Sequence, residues 1–175
     1  METIIKTKWV ADPTHTTIGF KIKHLKIANV KGRFDNFEIF VDSEEEHFIN
    51  ADITAKIDAS SINTNSEKRD EHLKSAEFFH VEKYPDIFFK SIMYDGEMLI
   101  GDLTIKNNTR RIELKAEFNG VSIDQYDNKK AGFEISGEIN RKDFGLNWDD
   151  QNSKGIDVLS DKLKIMIDAE LVIDE

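Results

Sequence analysis

The sequence predicts an all-β protein, a single antiparallel domain over residues 1–175, and three observations carry that prediction. Four long segments alternate apolar and polar residues at the two-residue period of a strand, which puts one face in a core and the other in water. No stretch of helical period is long enough to act as a crossover between parallel strands. Turn-forming pairs fall between the alternating segments, as hairpins require.

Taken in order, short strands are expected at 7–10 and 17–24, where Ile18, Phe20 and Ile22 share a face that His24 continues. Val30-Lys31-Gly32 reads as a turn, with a strand at 34–41 after it. Over 50–58, Ala51, Ile53, Ala55 and Ile57 oppose Asp52, Thr54, Lys56 and Asp58. A short helical insertion follows around 66–80, with Ser66 as its cap and Arg69 at the third helical position. The strand at 87–94 carries apolar residues on both faces, so a packing partner is expected on its outside, either the 60s–80s segment or a second subunit. After 98–105, the pair Asn107-Asn108 turns the chain into 111–118, where Ile112, Leu114, Ala116 and Phe118 share a face. Phe133, Ile135, Gly137 and Ile139 form another such face, and Leu163, Ile165, Ile167, Ala169, Leu171 and Ile173 the last.

Strands that are wet on one side must protect their edges, by closing into a barrel or by pairing two sheets. Small inward residues (Ala51, Ala55, Ala116, Gly137, Ala169) either open a cavity or relieve crowding in a filled core, and the pattern alone leaves both open.

A formal net charge of -10 disfavours a phosphate backbone unless basic residues gather locally, and it matches an anionic membrane surface poorly. With no cysteine there is neither a disulfide nor a thiolate metal site. No run is long and apolar enough to cross a bilayer as a helix, and the N-terminus has no signal-peptide core. The expectation is therefore a cytoplasmic protein without stable membrane insertion, periplasmic if a leader was trimmed.

Arg69, Asp70 and His72 crowd into one short segment and could be acid–base machinery acting on a hydrophobic substrate. Nothing nearby supplies a nucleophile or an oxyanion hole, so a polar network pinning the helix across a barrel mouth is the plainer reading. The five histidines show no metal-binding frame. The run 150–155 imitates a calcium loop, but Lys154 stands where a ligand should. No metal, cofactor or catalytic residue is expected.

Several motifs in order resemble the YceI-like family: Trp9-Val10-Ala11-Asp12 leading to His15, Ile18-Gly19-Phe20 with His24, and Val30 to Phe34. Arg69-Asp70-Glu71-His72-Leu73, Phe78-Phe79 and Tyr84-Pro85 give the frame RD-x-HL…FF…YP. Gly101 to Ile105 and Arg141 to Gly145 complete the set. The resemblance implies an extended antiparallel barrel of about eight strands, lipocalin-like, holding a polyisoprenoid, isoprenoid quinone or other long-chain lipid in an apolar interior. It implies binding, storage or transport without catalysis. The expected ligand-facing residues are Phe20, Ile22, His24, Phe34, Ile53, Arg69, His72, Phe79, Ile112, Leu114, Phe118, Phe133 and Ile165. The competing readings are the enzyme above and a dimerising scaffold built on the strand at 87–94.

Overall fold

In the computed structural model, which describes residues 5–44 and 46–174, the polar faces turn outward and the apolar faces turn into the interior of a barrel. Eleven strands form one sheet: β1 (Lys6–Ala11), β2 (Thr17–His24), β3 (Ala28–Phe34), β4 (Phe37–Glu44), β5 (His47–Asp58), β6 (Ile62–Asn63), β7 (Asp86–Tyr94), β8 (Met98–Ile105), β9 (Asn108–Ile123), β10 (Lys129–Asn140) and β11 (Leu159–Ile173). Every pairing is antiparallel. Eight strands close the barrel in the order β1-β4-β5-β7-β8-β9-β10-β11, with β1 returning to β11 at Trp9↔Ile173 and Ala11↔Leu171.

The remaining strands lengthen it. Along one edge of β11, β2 pairs through Leu159 to Asp168 and β1 takes over at Leu171. In the same way β3 and β4 are two halves of one line, broken at Asp35-Asn36, and β5 is continued by β6. Three of the eight walls are thus broken strands, each break re-aiming the chain where a single strand would twist away.

Two expectations about this region need correction. The strand expected at 34–41 is two strands, and Val30-Lys31-Gly32 lies inside β3 rather than in a turn. The ring of Phe20 crosses Gly32, where a Cβ would stand 2.4 Å from it and 2.9 Å from Thr64 Cγ2. Glycine is there to seat the ring, which a sequence reader takes for turn chemistry. The turn itself is at 25–26, where Leu25 and Lys26 hold left-handed φ of 54° and 62°. By contrast a turn does follow β8, one residue earlier than the expected Asn107-Asn108 pair, with Lys106 and Asn107 both left-handed and Asn108 already opening β9.

The helix α1 (Glu67–Lys74) starts as predicted, Ser66 Oγ accepting from the Arg69 amide at 3.3 Å. It ends at Ser75, and turns occupy the rest of the expected insertion to residue 80. On β7 the outer face is uncovered: Phe88 and Ile92 are about half exposed (47% and 49%), so the 60s–80s segment does not pack there.

Candidate ligand cavity

The barrel's inner faces do not meet. Ile53, Ala55, Ile135, Leu163, Ile165 and Ile167 all project inward yet stay only partly buried, because they face a void. That void is a cavity of about 400 Å³. The small inward residues are split between the two explanations. Ala55, Ala116 and Ala169 line the cavity, whereas Gly137 relieves crowding, since a Cβ there would meet Leu114 at 2.5 Å.

One end is closed by aromatic rings. Phe48 lies 5.3 Å from Trp9, 5.1 Å from Phe118 and 4.9 Å from Phe133 between centroids, and Tyr94 adds its ring at 6.4 Å from Phe133. The polar atoms carried into this plug are satisfied: Trp9 Nε1–H donates to Ser43 Oγ and Tyr94 O–H to the Ala116 carbonyl.

The other end is polar and reaches solvent. His24, Thr64, Arg69, His72, Arg141 and Trp148 line the cavity there, and Arg69 and His72 are exposed. Thr64 anchors the helix to β6: its amide and hydroxyl both donate to Asp70 Oδ1, at 2.9 and 2.6 Å. Arg69 adds Nε–H to Thr64 Oγ1 at 2.8 Å and a second N–H to the Thr64 carbonyl at 2.6 Å. Arg69 and Asp70 therefore hold a strand end, as the plainer reading of that cluster expected. His72 sets its Nε2 against the Glu77 carboxylate and its ring edge-on to Phe78 and Trp148, 5.0 and 5.5 Å away.

Arg141 is the polar residue that sequence reasoning left without a role. Its side chain is only 2% exposed, and all five N–H groups are spent. Nε donates to the Ser160 carbonyl at 2.8 Å, and the terminal nitrogens to the carbonyls of Leu146, Trp148 and Leu159 and to Asp149 Oδ1. It clamps the segment that presents Leu146 and Trp148 to the cavity. The signal was available, because residue 141 continues the inward parity of Phe133, Ile135, Gly137 and Ile139.

Of the residues expected to face a ligand, Phe20, Ile22, His24, Phe34, Ile53, Arg69, His72, Phe79, Ile112, Leu114, Phe133 and Ile165 line the cavity. Phe118 does not. It stacks on Phe133 at 5.0 Å, 40% exposed, as the outer layer of the plug, next to a bulge at Asn119 that shifts the register of β9 against β10. Phe78, Leu73, Trp148 and Leu159 line the cavity without having been expected to.

A second polar cluster sits where β1 gives way to β2. Donor atoms of Asp12, His15 and Glu170 lie within 4.8 Å of one another, a spacing that could hold a metal ion. The cation already present is Lys130, 3.0 Å from Asp12 and 3.7 Å from Glu170. Burial works against the charge of Lys130, and Asp12, Glu170 and Asp124 outweigh it, raising its pKa. His15, hydrogen-bonded to Asp12, holds that carboxyl well below the usual range, with Thr14 and Lys130 adding to the effect. The bond to Asp12, and then the charge of Glu170, hold the imidazole above its usual 6.5. This is a structural ion cluster at a strand break.

A closed antiparallel barrel with an apolar interior, blind at one end and polar at the other, defines a binding domain. Residues 9–171 match the YceI-like domain, and the chain belongs to that family. It is 37% identical over 170 residues to the UPF0312 protein SA2479 of Staphylococcus aureus, covering 97% of this chain and 99% of the relative. Among solved structures it is similar to the YCEI protein of Campylobacter jejuni, 33% identical with a TM-score of 0.74 over 100% of this chain and 99% of that one. It also shares its fold with a polyisoprenoid binding domain from Saccharophagus degradans, at 14% identity and a TM-score of 0.72 over 95% and 98% of the two chains.

Proposed function

We infer that this protein binds a long amphiphilic lipid of the polyisoprenoid or isoprenoid-quinone class, for storage or transport and without catalysis. The observation that carries this is the shape of the cavity: an almost wholly apolar wall, a ring-stacked blind end, and polar side chains only at the end that meets water. Such a wall contributes about 0.8 kcal/mol per methylene removed from water, which outweighs the cost of ordering a long tail. A polar head group would rest among His24, Arg69 and His72. His24 is the best placed of these, since its ring lines the cavity with no protein partner among the described residues.

Catalysis has little to work with. At the cavity mouth, Asp70 is committed to the Thr64 amide and hydroxyl and Arg141 spends its donors on the protein, so neither is free to act on a bound molecule. The test is organic extraction of the purified protein followed by mass spectrometry. A stoichiometric isoprenoid-type lipid is the expected result. Recovering no lipid from the native protein, with no uptake of added prenyl alcohols or quinones, refutes the reading.

A further inference from the structure

A stretch of the chain runs against its overall charge. Residues 21–33 contain Lys21, Lys23, Lys26, Lys31 and Arg33 and no acidic residue, in a protein whose net charge is -10. They form the β2–β3 hairpin, whose tip stands at the polar end of the cavity: His24 and Val30 both line it. On the outer face, strand register sets Lys31 opposite Lys21 and Lys21 opposite Lys164 of β11, three like charges in one row across three strands. Lys23 and Lys162 extend the same basic surface. Like charges directly opposite one another cost stability, so folding alone does not account for this row.

Two carboxylates flank it: Glu138 stands opposite Lys164 in the β10–β11 register, and Asp157 precedes Val158, whose carbonyl accepts from the Leu25 amide at the hairpin tip. Among the described residues, Lys21, Lys23, Lys26, Lys31 and Lys162 make no ion pair. Lys164 approaches Glu138 at 4.0 Å, and Arg33 pairs with Asp35 at 2.8 Å. Elsewhere on this rim, Asp149 and Asp161 are drawn to Arg141 and Lys142. At the hairpin tip, beside Lys26, Ile27 is 84% exposed. Leu25 and Lys26 take the two left-handed turn positions that asparagine and glycine usually fill, which pushes that apolar side chain out at the extreme end of the hairpin.

We propose that the β2–β3 hairpin and the adjoining face of β11 dock the protein on an anionic lipid bilayer, with Ile27 in the interface and the cavity mouth facing the membrane. A lysine array around an exposed apolar tip matches an anionic membrane surface. The continuity of hairpin and mouth favours a bilayer over a nucleic acid, because a lipid could then enter the cavity without crossing water. The orientation rests on the lipid-binding reading; the charge and the tip do not.

Co-sedimentation with vesicles tests the proposal. The wild type should bind phosphatidylcholine vesicles that contain phosphatidylglycerol, bind phosphatidylcholine alone far less, and lose binding as salt is raised. Each surface lysine is worth about fivefold in binding, so K21Q/K31Q/K164Q should weaken it by roughly two orders of magnitude. The same variant should melt at or above the wild-type temperature, because it relieves repulsion, and a merely structural role for the row predicts the opposite. I27S should weaken binding with the salt dependence unchanged. Equal binding to both vesicle types, or a triple variant that binds like the wild type, overturns the proposal. So does retention on a single-stranded oligonucleotide with no vesicle binding. If extraction yields no lipid while vesicle binding is lost in the triple variant, docking stands and the cavity reading falls. If lipid is recovered but vesicles are ignored, docking falls and the cavity reading stands.

Discussion

Replacing Arg141 with methionine probes the clamp on the cavity mouth. Methionine fills much of the same space and offers no donor, so the carbonyls of Leu146, Trp148, Leu159 and Ser160 lose their partner together. A buried acceptor left unmade costs about 1–3 kcal/mol. Four such penalties overlap, and the segment can turn some carbonyls to water at the mouth, so the expected loss is about 3–5 kcal/mol in all. Asp149, half exposed, supplies little of it: Asp149→Asn should cost under about 1 kcal/mol. Arg141→Lys keeps the charge but not the five-donor fork, and should recover less than half of the loss. Urea unfolding followed by far-ultraviolet circular dichroism gives the global figure. In a Trp9→Phe background Trp148 is the only tryptophan, so its emission reports whether the mouth segment loosens. A loss below about 1 kcal/mol with Trp148 emission unchanged would refute the clamp.

In the ion cluster, Asp12 with its lowered pKa contributes stability above its ordinary 3.8, and His15 with its raised pKa contributes below its ordinary 6.5. The pair therefore stabilises most between those values, loses its His15 share as pH rises through the folded histidine's pKa, and loses its Asp12 share in strong acid. Nuclear magnetic resonance titration should find His15 above 6.5 in the wild type and lower in Asp12→Asn, where Glu170 alone still raises it; an unchanged value in the variant contradicts the pairing. Gly32→Val forces a branched side chain into the Phe20 ring and should cost at least about 1–3 kcal/mol by thermal melting, a neutral result being incompatible with the packing described. Ala55→Phe points a ring into the cavity, so it should keep or slightly raise the melting temperature while lowering the lipid recovered by extraction; undiminished lipid content would argue that binding occurs elsewhere. The uncovered strip around Phe88 should make the wild type self-associate and Phe88→Asp monomeric by light scattering, and a strictly monomeric wild type removes that idea.

Much of this architecture is legible in the alternating segments, because a strand wet on one side announces which residues face inward. Inward parity through Ile112, Leu114 and Ala116, or through Ile18, Phe20 and Ile22, needs no partner to be known. What escaped depends on residues far apart in sequence. Gly32 is a ring seat only because Phe20 lies across from it, and without that register a glycine reads as a turn. Phe118 has inward parity, yet the bulge at Asn119 and the depth of Phe48 decide that it seals the end rather than lining the wall. Arg141 has the same parity and could have been flagged as an inward charge, but its four carbonyl partners come from segments whose approach no local pattern records. Whether the inner faces touch is likewise a property of barrel girth, which small inward residues suggest and do not determine.

Closure of the barrel between β1 and β11 has a consequence for timing. Until β11 is made, β10 and β1 lack a common neighbour, and β2 has no partner on one of its edges. On a ribosome that delivers the chain from its N-terminus, the apolar wall stays an open trough until the last strand emerges. The cavity therefore cannot enclose anything before β11 emerges, and the earlier strands wait until then with their apolar side uncovered.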